Sequence, residues 1–215
     1  MGRNSGGGSN AYSGAGAGTI AVTSSGKRVS KAQMKKIQAS SQSLDSLPHR
    51  EVTKQLNRAI SRYDAVMGVR ERNIRVADLD GAYGVTYFNT GGSTNIYLDK
   101  KFFSQHRNDI EAQYRKKNYE TGFKNVTNRP IQHTLTHELA HATWTSSYSS
   151  PKHKAAGKEI QSLYKNWMKK SHKGYGSYAK KNVDEFWAEV ITKAVHGKGD
   201  SYSRKAVSIA KKYGL

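Results

Sequence analysis

The sequence predicts a single α+β domain behind an N-terminal tail, and three observations lead there. Apolar residues recur every three to four positions on both sides of a middle stretch that alternates and is rich in β-branched and aromatic residues. The order is therefore helices, a small sheet, then helices. At 215 residues and 35% hydrophobic content, the chain supports one domain with a real core and is short for two. Residues 1–27 are rich in Gly, Ser and Ala without periodicity, so burial cannot offset the entropy of ordering them. The folded domain is expected over 28–215, with a helical N-terminal part over 28–70.

The elements follow in order. Met34, Ile37 and Leu44, then Val52, Leu56, Ile60 and Tyr63, mark two helices separated near Pro48. "NIRVADL", "YGVTYFNT" and "TNIYLDK" read as strands of an antiparallel or mixed sheet, divided by the turns "DGAYG" and "TGGS". "KKFFSQHRNDIEAQYRKKNYE" returns to helix. In "NVTNRP", Asn128 is expected as N-cap and Pro130 in the first turn of the next helix. Helices over about 154–170, 183–196 and 203–212 complete the chain, the first two joined by the loop "SHKGYGSYAKKN". The tail's "GAGAG" is no phosphate loop, because no strand precedes it and no helix follows.

Composition limits the chemistry. With no cysteine there are neither disulfides nor thiolate ligands, so a bound metal must be held by His, Asp or Glu. The start lacks an apolar secretory segment and no run approaches the roughly 18 apolar residues of a membrane span, which predicts a cytoplasmic protein. Lys and Arg number 36 against 16 Asp and Glu, and the resulting +20 draws acidic peptides or nucleic acid. No helix-turn-helix, RNA-recognition or zinc-finger signature accompanies that charge.

The chemistry concentrates in "HTLTHELAHATW", residues 133–144. His137 and His141 are four apart, so on a helix both imidazoles lie on one face and reach one ion, with Zn2+ the expected cofactor. Glu138 sits beside them, where its carboxylate serves as general base toward water. Ile131, Leu135 and Leu139 supply core contacts to an amphipathic helix that follows a small sheet, as the zincin arrangement requires. A catalytic zinc usually has three protein ligands. The metzincin continuation fails, since Trp144 and Ser147 stand where Gly and His are wanted. Glu185 and Glu189 in "SYAKKNVDEFWAEV" are again four apart, so one can ligate while the other fixes the tautomer of a ligand histidine. The competing reading has both facing water or pairing with Lys181 and Lys193, against which the adjacent Phe186 and Trp187 indicate burial.

"HELAH" followed by a basic helix, a Gly/Ser/Tyr loop and "YAKKNVDEFWAE" resembles the catalytic domain of the anthrax lethal factor type, a gluzincin branch with a Tyr-x3-Asn-x2-Glu-Phe-x-Ala-Glu segment. Tyr178, Asn182, Glu185, Phe186, Ala188 and Glu189 match it in register. The resemblance implies a zinc-dependent endopeptidase acting on protein or peptide substrates. It implies zinc held by His137, His141 and Glu185, Glu138 as general base, Glu189 hydrogen-bonded to a ligand histidine, and Tyr178 as donor to the developing oxyanion. Domains of this type occur in phage and prophage proteins and in secreted toxins, which adds a virion-associated setting to the expectation. The resemblance runs from Tyr87 to His196 and includes "TNIYLDKKFF", expected as an edge strand that pairs with an extended peptide. It does not reach the first 70 residues.

Two other readings compete. "HELAHATW…SPKHKAAGKEI" is similar to the SprT-like DNA-dependent metalloproteases, in which a histidine soon after HExxH is the third ligand; that would be His153. Lys152 stands where Gly is usual there, and Glu185 would go unexplained. The second is a nucleic-acid-associated or virion structural protein with an inert metal site, its Tyr164, Trp167, Tyr175 and Tyr178 stacking bases between lysines. His133, one turn before His137, is within geometric reach as an extra or alternative ligand, but is read as a hydrogen-bond donor and left out of the ligand set. Asn125 opens an N-x-T sequon and is assigned no glycan.

Overall fold

The computed structural model describes residues 20–23, 29–88, 94–145, 150–170, 174–197 and 199–215. In chain order the elements are strand β1 (Ile20–Thr23), helix α1 (Lys31–Ser40), strand β2 (Gln42–Ser43), helix α2 (Arg50–Met67), and strands β3 (Asn73–Ala77), β4 (Gly84–Phe88) and β5 (Thr94–Asp99). Helices α3 (Lys100–Phe103), α4 (Arg107–Tyr114), α5 (Pro130–Thr145), α6 (Pro151–Met168), α7 (Val183–His196) and α8 (Ser201–Tyr213) follow. The class is α+β, as the periodicities predict. Most of the tail, the "TGGS" turn and the start of the 171–182 loop lie outside the described residues.

Local chemistry sets several boundaries. Ser30 and Gln33 form a capping box that starts α1. The stretch expected as one helix over 100–120 is two: Asp99 caps the short α3, and α4 begins afresh at Arg107. α4 runs on into a π turn over Arg115–Tyr119, whose final residue is directed at His133. Pro130 is the first residue of α5; Asn128, expected as its cap, lies two residues earlier and accepts from the Arg129 guanidinium.

The five strands lie in the order β1-β4-β5-β3-β2, with β3 and β5 parallel and the other pairs antiparallel. Two expectations change here. β5 carries "TNIYLD" in the middle of the sheet, hydrogen-bonded on both sides, so it is no edge strand for a substrate. Ile20–Thr23, inside the stretch expected as tail, pairs along β4.

The two-residue period of the strands sorts side chains between the faces of the sheet. Ala77, Val85 and Tyr97 pack with Met34 and Ile37 of α1, whereas Val76, Ile96 and Leu98 join the larger core under α2, α5 and α7. Gly84 and Thr86 of β4 therefore look toward α5. That helix is not amphipathic as expected, because every residue from Pro130 to Trp144 is buried. Water cannot serve its polar side chains freely, so each one left without a partner carries a desolvation cost. No helix among the described residues is long and apolar enough to cross a membrane.

Candidate metal centre

α7 sets the second half of the site against α5. The side-chain oxygen of Asn182 accepts the Glu185 backbone N–H at 2.9 Å and starts the helix there. Glu185 thus falls in the first turn and Glu189 one turn later on the same face. Two indoles fix the approach of the helices: Trp187 Nε1–H donates to the Ala140 carbonyl at 3.0 Å, and Trp144 Nε1–H to Asp184 at 2.8 Å. Phe186 and Trp187 are fully buried, and Glu185 and Glu189 beside them are buried too, as the two aromatic residues indicated.

The two helices bring His137, His141 and Glu185 together. His137 Nε2 lies 3.1 Å from Glu185 Oε2, His141 Nε2 lies 3.3 Å from the same oxygen, and the two Nε2 atoms are 3.1 Å apart. These are buried donor atoms that could hold a metal ion. Burial alone would raise the Glu185 pKa, but His141 and His137 outweigh it and hold the carboxyl well below its ordinary range. His141, at 7%, is the most exposed of the three.

Glu189 supports rather than faces this group. Its Oε1 lies 3.0 Å from His137 Nδ1, and its Oε2 accepts the Asn125 backbone N–H at 3.0 Å. An ionised carboxylate only accepts, so Nδ1 carries a proton toward Glu189, and the other ring nitrogen, Nε2, is the one turned toward His141 and Glu185. Burial opposes ionisation of Glu189, yet His133, His137 and Lys124 outweigh it and hold its pKa well below the ordinary value. His133, His137 and Glu189 form a second group within ligand reach of one another. That group already has a cation, the buried Lys124, with Nζ 3.8 Å from Glu189 Oε1. His133 instead joins a relay, accepting or donating between the Tyr119 hydroxyl at 3.0 Å and Glu189 at 3.4 Å. A third group, His49, Glu51 and His106, lies nearer the surface.

Glu138 is seated by the sheet. Thr86 Oγ1 donates to Glu138 Oε2 at 2.6 Å, while Glu138 Oε1 is buried without a hydrogen-bond partner among the described residues. The room is left by Gly84, where an added Cβ would stand 2.7 Å from Glu138 Cγ and 2.8 Å from Oε1. Tyr178 covers the other side, its ring 5.6 Å from that of His137. The segment's close approach depends on Gly176, since any side chain there would collide with the Phe123 carbonyl and Lys124 backbone. The Ser177 and Tyr178 N–H groups donate to the Gly122 and Phe123 carbonyls, each at 2.8 Å. Burial, then the Glu185 carboxylate, pushes the Tyr178 phenol far above its ordinary pKa, so it stays a proton donor.

All six residues singled out in the sequence thus meet at one place. His153 does not join them: it packs 4.6 Å from the Trp144 ring and belongs to none of the metal-competent groups among the described residues. The base-stacking series also fails, because Trp167, Tyr175 and Tyr178 are buried. Lys193 pairs with Asp200 at 2.9 Å rather than with Glu189. Gly84, Thr86, Lys124 and Asn125 were not anticipated. Asn182 was matched without a role, although Asn three residues before an acidic first turn is a legible cap signal. Family models, curated proteins and solved structures give no match to this chain.

Proposed function

We propose that the chain is a zinc-dependent endopeptidase with a zincin-like fold, zinc being held by His137, His141 and Glu185. The convergence of three donor atoms carries this reading. Bonds of about 2.0–2.1 Å in a tetrahedron put neighbouring ligand atoms about 3.3 Å apart. The three observed separations are 3.1, 3.1 and 3.3 Å. Charge supports it as well: the buried Lys124 ammonium lies against Glu189, which leaves the buried Glu185 carboxylate facing the two histidines with no lysine or arginine partner among the described residues. Glu189 and Asn125 complete the support that ligand histidines need.

Zinc bound there supplies a Lewis acid and brings the pKa of water near neutrality. The chain's own groups do the rest. Glu138 Oε1, unpartnered and held by Thr86 through its other oxygen, takes the proton of the attacking water and returns it to the leaving amine. Tyr178, kept protonated, donates to the oxygen that gains negative charge. Glu189 holds His137 in one tautomer throughout.

Elemental analysis beside cleavage of a peptide library tests the proposal. Wild type and His153→Ala are expected to hold one zinc per chain, and Glu185→Gln none. Chelation is expected to abolish cleavage and added zinc to restore it. A wild-type protein that takes up no zinc on reconstitution overturns the reading; loss of zinc in His153→Ala alone transfers it to the SprT-like arrangement.

A further inference from the structure

A second feature lies away from the metal group, at the N-terminal end of α5. Arg58 and Arg62 of α2, Arg107 at the start of α4, and Arg129 just before α5 line one cavity of about 210 Å³, together with Gln55, Glu111 and Gln132. Of these cations only Arg107 has a carboxylate partner among the described residues, Glu111 at 2.8 Å. Arg129 donates to neutral oxygens, Asn128 Oδ1 at 2.7 Å and the His196 carbonyl at 3.0 Å, which leave its charge uncompensated. Burial, then the charge of Arg62, lowers the Arg129 pKa, a sign that these guanidinium groups repel one another. Arg58 and Arg62 are one turn apart on an exposed face, so repulsion acts within α2 too.

We propose that this cavity seats a backbone phosphate of a nucleic-acid strand. Guanidinium forks match the oxygens of a phosphate two at a time, and three uncompensated arginines around one small cavity exceed what a single peptide carboxylate uses. The N-terminal N–H groups of α5, a helix of 16 residues, add positive potential at the same end. The net charge of +20 supplies long-range attraction to a polyphosphate chain, which a lone phosphate ion experiences far less. The cavity and the metal group share α5 but no residue, so this inference does not rest on the peptidase reading.

The test is fluorescence anisotropy of the full chain with a labelled single-stranded oligonucleotide, in chelator so that the metal site has no part in it. Arg58→Gln/Arg62→Gln is compared with Lys35→Gln/Lys36→Gln, which removes equal charge from exposed positions on α1 across the sheet. The arginine pair is expected to weaken binding by roughly tenfold or more and to flatten the salt dependence by about 1.4 in log–log slope. The lysine pair is expected to change both much less. Equal weakening by the two pairs, or no binding by wild type at low salt, overturns the proposal. So does an inorganic phosphate titration in which the arginine pair abolishes a thermal shift while oligonucleotide binding is unaffected, which would make the occupant a free phosphate.

Discussion

Replacing Gly84 with alanine sets one methyl group against Glu138 and leaves every proposed zinc ligand untouched. The added Cβ would lie 2.7 Å from Glu138 Cγ, where ordinary contact begins at 3.4 Å, so the side chain must retreat by about 0.7 Å. It cannot do so freely. Thr86 holds Oε2 at 2.6 Å, and β4 is pinned between β1 and β5. A displacement near 1 Å at a catalytic group costs on the order of a hundredfold in rate. Overpacking of this kind also costs about 1–3 kcal/mol of stability. Gly84→Ala is therefore expected to keep one zinc per chain, melt somewhat lower, and lose about a hundredfold in kcat with little change in KM. The assay is steady-state cleavage of a peptide found in the library, with zinc stoichiometry on the same preparation. Wild-type kcat in a folded, zinc-loaded Gly84→Ala protein would refute Glu138 as the base.

Three further outcomes are expected. Tyr178→Phe should lower kcat by roughly 100-fold or more, the scale of losing one oxyanion donor, with zinc content unchanged; an unaltered kcat assigns Tyr178 to packing alone. Glu189→Gln should weaken zinc affinity by about 10–100-fold, read by competition with a chelator, because the amide no longer enforces the Nδ1–H tautomer of His137; equal affinity contradicts that role. His196 is held neutral, its pKa lowered to about 3 by burial and then by His133, Arg129 and Arg62. Between that value and the ordinary 6.5 the unfolded chain binds the extra proton, so stability present above about pH 6.5 is lost as pH falls, by at most ~1.4 kcal/mol per unit. His196→Gln, which can keep the contact to Thr136, should lose less stability than wild type in urea melts between about pH 7 and pH 4, and parallel losses would contradict this.

Much of the site was legible because helical periodicity turns sequence spacing into spatial direction. His137 with His141, and Glu185 with Glu189, each needed only a four-residue interval and a helix to share a face. The helix expected over about 183–196 matches α7, although the Asn182 cap and the Gly197 that follows it were not read as its boundaries. The elements that support Glu138 were not legible, because Thr86 reaches it across 52 positions of chain, Gly84 from farther still, and nothing local marks them. Lys124 is a similar case: one lysine in a basic chain looks solvated until the fold buries it beside Glu189. The position of β5 also escaped the sequence, as alternation tells which side chains share a face and says nothing of which strand lies at an edge.

By itself the sequence determined the α+β class, the cysteine-free ligand chemistry and the two helical segments that carry the candidate ligands, all consequences of composition and short-range spacing. Only the tertiary structure decided that α5 is buried on every side, that His137 finds a partner on α7 and Glu138 one on β4, and that four arginines from three segments share a cavity. Those outcomes depend on contacts between residues far apart in the chain, and a periodicity of two or 3.6 residues contains no record of them.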